Sequence, residues 1–170
     1  ATLMNYRLKG YKIKVLFLSD GESSRKLKIK EAKDKIIRRE KQAEIVSKTC
    51  KFEKPDFLRL PDNKLDSIPL IKVIQLIETK IKSFKPNIIF THYENDLNID
   101  HQIAYKSVIT ATRPKSKTFV ESICCFETPS STEFAIKKNK KKIFNYNFFF
   151  NLKKKIKKKL KVLKKYKYEI

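Results

Sequence analysis

At 170 residues the chain is long enough for one domain with a real core and short for two. With 41% hydrophobic and 35% charged residues it reads as globular rather than disordered, and no apolar run approaches the roughly 18 residues of a membrane-spanning helix. The formal charge is +23, of which residues 137–170 carry +14 through 15 Lys and the single acid Glu169; six of the 41 cations are Arg, a poor match to specific nucleic-acid recognition, which draws on the planar Arg fork.

Residues 3–8 read as the end of a helix stopped by Gly10. The β-rich run 12–18 predicts a buried strand closed by Ser19, Asp20 and Gly21. Residues 28–48 predict a helix with Ile36, Ile37, Ala43, Ile45 and Val46 on its apolar face, and 57–60 a short strand ending at Pro61, Asp62 and Asn63. Residues 68–84 predict an amphipathic helix bearing Leu70, Ile71, Ile74, Leu76, Ile77 and Ile81. Pro86 precedes a further buried strand at 87–91. A helix follows the loop 92–100 and runs to about Thr112, a fourth strand spans 118–126, and 128–145 is loop-like. In the tail Leu152, Ile156, Leu160, Leu163 and Tyr166 form one apolar stripe on a lysine surface, predicting a helix over 150–168 whose apolar face docks on the domain or on what the missing segments leave exposed. The alternative is a basic amphipathic helix lying on an anionic membrane.

The order β, α, β, α, β, α, β predicts an α/β fold with a parallel, doubly wound sheet, strands 12–18 and 87–91 being adjacent near its centre. In such sheets ligands sit beyond the carboxyl ends of the strands. Asp20, Asp62, Asn63 and the loop from His92 to His101 fall there.

That loop holds both histidines of the chain, His92 and His101, with Glu94, Asp96, Asn98 and Asp100 between them. A calcium loop is excluded, because His101 stands where it needs Gly and Ser107 where it needs Glu. A His opening a helix beside a carboxylate is a metal-ligand arrangement; the alternative is that Asp100 only caps the helix. Cys124 and Cys125 are strand neighbours pointing to opposite faces and are expected to be buried packing residues. With Cys50 they make three cysteines without metal-site spacing, which fits a reducing cytoplasm. Ser23, Ser24, Ser130 and Ser131 have no adjacent base, and two Gly in the whole chain leave no phosphate-cradling loop, so a serine hydrolase and a dinucleotide reader are excluded.

The stretch Thr91-His92-Tyr93-Glu94-Asn95-Asp96-Leu97-Asn98-Ile99-Asp100-His101, continuing to Arg113 and Pro114, resembles the LmbE-like, or PIG-L, family of zinc-dependent N-acetyl-sugar deacetylases. Agreement extends in order to 15–21, to Arg38, Arg39 and Glu40, to 60–66 and to 126–133. The resemblance implies a Rossmann-like three-layer sandwich with a mainly parallel sheet over residues 1–136. It makes 137–170 a Lys-rich loop and C-terminal amphipathic helix of the same domain. It also implies Zn2+ at the carboxyl edge of the sheet, with His101 as a ligand and Asp100 as the neighbour that orients it or handles a proton. Asn98 stands where many relatives carry a second His that stabilises the tetrahedral intermediate. Asp96 and His92 line the loop, and Arg38 and Arg113 are candidate contacts to sugar hydroxyls or a phosphate.

The family's opening strand and its Ala-His-Pro-Asp-Asp-Glu segment, which supplies two zinc ligands and the general base, have no counterpart here. The chain therefore reads as a fragment of a deacetylase lacking that N-terminal strand, inactive as it stands, with an N-acetylated amino sugar as substrate. The rival reading is a non-catalytic basic module that binds nucleic acid or an anionic membrane through the Lys-rich tail. The richness in Lys, Ile, Phe, Asn and Tyr is also what drift in an AT-rich coding sequence produces.

Overall fold

The computed structural model describes residues 2–114, 120–134, 144–151 and 156–165. Helices and strands alternate: α1 (Thr2–Leu8), β1 (Leu16–Ser19), α2 (Ile29–Cys50), β2 (Asp56–Leu60), a 3-10 turn (Leu65–Ser67), α3 (Leu70–Phe84), β3 (Ile88–Thr91), α4 (Ile99–Ala111), β4 (Ser122–Cys125) and α5 (Ile156–Leu163). The fold is α/β with parallel strand pairs. Its residues group into two units, Ala1–Pro61 with Tyr146–Ile170, and Asp62–Asn145.

In the first unit Gly10, at φ +94°, ends α1 in a conformation that disfavours other residues. Strands β1 and β2 pair in parallel, which requires a crossover, and α2 provides it. Phe17 and Phe57 are paired in the ladder and their rings stack at 5.2 Å. Beyond them the register slips, Ser19 meeting Leu60, and Arg59 sits at φ 53° in the slip as an extra residue of a bulge. Helix α2 buries Ala43, Ser47 and Cys50, while Ile37 and Ile45 are about half exposed. The buried stripe keeps Ala43 of the expected face, with Ile36 and Val46 half-buried, and adds Ser47 and Cys50 where Ile37 and Ile45 were expected.

Between β1 and α2, Asp20 accepts from the backbone N–H groups of Glu22 and Ser23, both at 2.9 Å. The buried Glu22 carboxylate is paired with Arg39 at 3.0 Å and Arg25 at 3.4 Å. Gly21 turns the chain at φ +71°, and a Cβ there would lie 2.8 Å from the Arg39 guanidinium carbon. Gly21→Ala is therefore expected to cost about 2 kcal/mol, through backbone strain and through displacing Arg39 from a buried carboxylate. A lowered urea midpoint at unchanged slope is the readout.

In the second unit α3 buries Val73, Ile74, Ile77 and Ile81 at helical spacing and packs on α4, which buries Ala104, Ser107, Val108 and Ala111. Leu65, 2% exposed, projects into this core from the 3-10 turn. Leu70 and Ile71, expected on the apolar face, are exposed in the first turn of α3. Strands β3 and β4 pair in parallel from Ile88↔Ser122 to Thr91↔Cys125. Within each unit a strand pairs with the next strand in sequence across one helix, the ordinary βαβ arrangement. The strands expected to be buried are half-buried, apart from Thr91. Cys124 is half-buried and Cys125 exposed, so neither is the buried packing residue expected.

Helix α5 begins and ends inside the expected 150–168; Leu152 and Tyr166 lie outside the described residues, as do 135–143 of the expected loop and 118–119 of the expected fourth strand. No residue of α5 is buried, and Ile156, Leu160 and Leu163 of the expected stripe are exposed rather than packed on the described residues. Among the described residues no helix is long and apolar enough to cross a membrane.

Candidate functional site

The second unit gathers polar side chains beyond the carboxyl ends of β3 and β4. Its centre is Asp96, 1% exposed. One carboxylate oxygen accepts from the Asn98 backbone N–H at 2.9 Å and lies 3.1 Å from His101 Nδ1; the other accepts from Thr132 Oγ1 at 2.6 Å. The buried Thr132 hydroxyl also accepts from its own turn at Thr128 N, 2.8 Å away, and Ser131 Oγ is 3.4 Å from His101 Nδ1. The Asp96 carbonyl accepts from Gln102 Nε2 at 2.7 Å, tying the loop to the first turn of α4.

Asn98 caps α4. Its side-chain oxygen accepts from Asp100 N and His101 N at 2.8 and 3.4 Å, and its amide donates to Asn63 Oδ1 at 3.0 Å. The capping expected of Asp100 is thus done by Asn98. Asp100, 9% exposed, instead accepts from Leu65 N at 3.0 Å. Consecutive helical side chains diverge by about 100°, so Asp100 and His101 cannot share a direction. The carboxylate that touches His101 is Asp96, four residues before the position sequence reasoning favoured.

The electrostatics follow from these partners. Burial alone would raise the Asp96 pKa, but hydrogen bonds from Thr132, Asn98 N and Ser131, with His101 alongside, hold it below the usual carboxylate range. Burial raises that of Asp100, with the backbone N–H groups of Leu65 and Asn63 pulling the other way. An ionised Asp96 can only accept, so a neutral His101 carries its hydrogen on Nδ1 and its lone pair on Nε2. The His92 ring stacks on His101 at 3.8 Å and 6° and meets Phe126 at 4.8 Å. Its Nδ1 is buried without a hydrogen-bond partner among the described residues. Burial, and then the neighbouring His101, push its pKa down to about 4.

A folded pKa below the unfolded value of about 6.5 means that the unfolded chain takes up the proton first. The contribution of neutral His92 is complete above pH 6.5 and is lost as pH falls towards 4. Metal-free protein is expected to be on the order of 2 kcal/mol less stable at pH 5 than at pH 7.5 through this group alone. Urea unfolding at both pH values checks this, and His92→Gln should remove that part of the slope.

Two other expected site residues have other neighbours within their own units. Arg113 follows the C-terminal end of α4, 4.0 Å from Glu78, while His101 is in the first turn of that 13-residue helix. Arg38 is on α2, in the other unit, beside Lys28, Lys30, Glu31, Asp34 and Lys35. Sequence reasoning placed Asn63 at the carboxyl edge but passed over Ser131 and Thr132 as site residues, although both stand in a stretch that carried the resemblance.

These side chains do not by themselves fit a zinc ion. Among the described residues no three His, Cys, Asp or Glu groups converge to hold a metal. Zinc is commonly four-coordinate with at least three protein ligands, and here His101 Nε2 offers one while Asp96 is engaged by hydrogen bonds.

The family model described as PIG-L, GlcNAc-PI de-N-acetylase, matches residues 1–112. No curated protein matches the chain by sequence. Among solved structures the chain is similar to N,N'-diacetylchitobiose deacetylase from Pyrococcus horikoshii, with a TM-score of 0.75 at 13% identity over 99% of this chain and 64% of that one. It is similar to GalB, the 4-carboxy-2-hydroxymuconate hydratase from Pseudomonas putida KT2440, with a TM-score of 0.73 at 17% identity over 99% of this chain and 72% of that one. The conserved protein TT1542 from Thermus thermophilus aligns with a TM-score of 0.53 at 21% identity over 72% of this chain and 56% of that one. The chain thus spans 56% and 64% of the length of TT1542 and the chitobiose deacetylase, and at these identities the likeness speaks to fold.

Proposed function

Because the chain belongs to the PIG-L family, we propose that it supplies the His101 part of a zinc-dependent N-deacetylase site acting on an N-acetylglucosamine-type sugar. The reaction adds water across the acetamide C–N bond, giving acetate and a free amine. The observation that supports this reading is the Asp96–His101 pair, held beyond the carboxyl end of β3 and within the residues that match the family. Asp96 fixes the imidazole so that Nε2 faces away from the carboxylate, and His92 stacks against the ring and limits its tilt. Asn98 and Asp100 hold the start of α4 against the 62–67 segment, which keeps His101 in place. Arg38 remains a candidate contact to sugar or phosphate, whereas Arg113 is assigned to its ion pair with Glu78.

The 170 residues contain no Ala-His-Pro-Asp-Asp-Glu segment, and the ligands and general base missing from the described cluster are assigned to such a segment in the complete enzyme. Three free cysteines suit the reducing cytoplasm proposed as its location.

The test compares substrates. A protein joining these residues to a family-type strand and Ala-His-Pro-Asp-Asp-Glu segment should release acetate from N-acetylglucosamine conjugates and much less from N-acetylated amino acids. A folded, zinc-loaded protein that prefers the amino acids, or acts on neither, would overturn the assignment.

A further inference from the structure

The tail presents its apolar groups outward. In α5, Ile156, Leu160 and Leu163 recur at helical spacing and are 49%, 52% and 39% exposed. On the opposite face Val162 is half-buried, and Lys158 lies close enough to the buried Cys50 for its charge to lower that thiol's pKa, against the larger opposing effect of burial. Val162 thus marks the less exposed side of the helix, and the apolar stripe is turned to solvent. At 100° per residue, Lys157 and Lys164 border the stripe on one side and Lys159 on the other.

The segment before α5 repeats the arrangement. Phe150 is anchored by Tyr6 at 5.7 Å and by Phe148 at 5.2 Å, while Phe148, Phe149 and Tyr146 are 68%, 79% and 53% exposed. Exposed aromatics close in sequence to an apolar stripe edged by lysines suit the interface of a lipid bilayer, where rings sit at headgroup depth and lysine stems reach past buried carbons to anionic phosphates.

We propose that residues 146–151 and 156–165 form a docking surface for an anionic lipid bilayer, independently of the deacetylase reading. Charge complementarity selects this partner. Residues 137–170 carry +14, which draws a negatively charged leaflet and repels a second copy of this chain. They contain no Arg, and an outward apolar stripe has nothing to gain against a phosphate backbone, so a nucleic acid is the weaker fit.

The test is co-sedimentation of the full chain with vesicles of phosphatidylcholine alone and of phosphatidylcholine with about one-third phosphatidylserine, at low and high salt. Binding to the anionic vesicles should exceed that to the neutral ones by at least about ten-fold and fall with salt. Phe148→Ser with Phe149→Ser should weaken it about ten-fold, as should Lys157→Gln with Lys159→Gln and Lys164→Gln; these side chains are exposed, and an unchanged circular dichroism spectrum confirms the fold. Equal binding to both vesicles, no binding to either, indifference to the aromatic substitutions, or binding to RNA without binding to vesicles would each overturn the proposal.

Discussion

Asp96→Ala is expected to lower stability by about 3 kcal/mol, the largest loss from a single polar side chain here. The substitution removes the acceptor for Thr132 Oγ1, for the Asn98 backbone N–H and for His101 Nδ1 in one step. With Asp96 only 1% exposed, water does not readily replace those bonds. Asp96→Asn keeps the volume and one acceptor oxygen and should cost about half as much. Urea unfolding at constant slope measures both. A loss below about 1 kcal/mol for Asp96→Ala would mean that the network is not formed in solution.

His101→Ala is expected to abolish tight zinc binding in a protein that combines these residues with the family's Ala-His-Pro-Asp-Asp-Glu segment. In the same protein Asp96→Asn should weaken zinc by about 10- to 100-fold, the usual cost of disturbing the partner of a ligating imidazole. The two variants separate the roles: one deletes a donor, the other leaves the donor and frees its ring. The 170 residues alone should bind zinc weakly with or without His101, because one imidazole does not make a site. Equilibrium dialysis with metal analysis reads all of these.

The sequence pattern conveyed some of this and missed the rest for identifiable reasons. Strand β2 and helix α3 were legible because five residues of β-rich chain and a clean apolar spacing leave few alternatives. Periodicity names a helix more firmly than its rotation. In α2 Ala43 goes inside as expected, but the large residues Ile37 and Ile45 are left about half exposed and the unexpected Ser47 and Cys50 are buried. The alternation of strands and helices was plain, and within each unit the parallel pairs follow it, each across one helix. The loop 92–101 was marked by its two histidines; which carboxylate serves His101 was not, because Asp96 and Asp100 are both near it in sequence and only the helix turn separates their directions. Ser131 and Thr132 stand 30 and 31 residues from His101, with no local signal for their contact with Asp96 and its histidine. In the tail the apolar stripe was visible, and its outward orientation was not, since a stripe signals a partner without naming it.

Acetate release from an N-acetylglucosamine conjugate, measured for the combined protein and for its His101→Ala variant at saturating zinc, bears most directly on the central claim. The account predicts turnover by the combined protein, none above background for the variant, and none for the 170 residues alone. Turnover that survives His101→Ala, or activity of the 170 residues unaided, would contradict it.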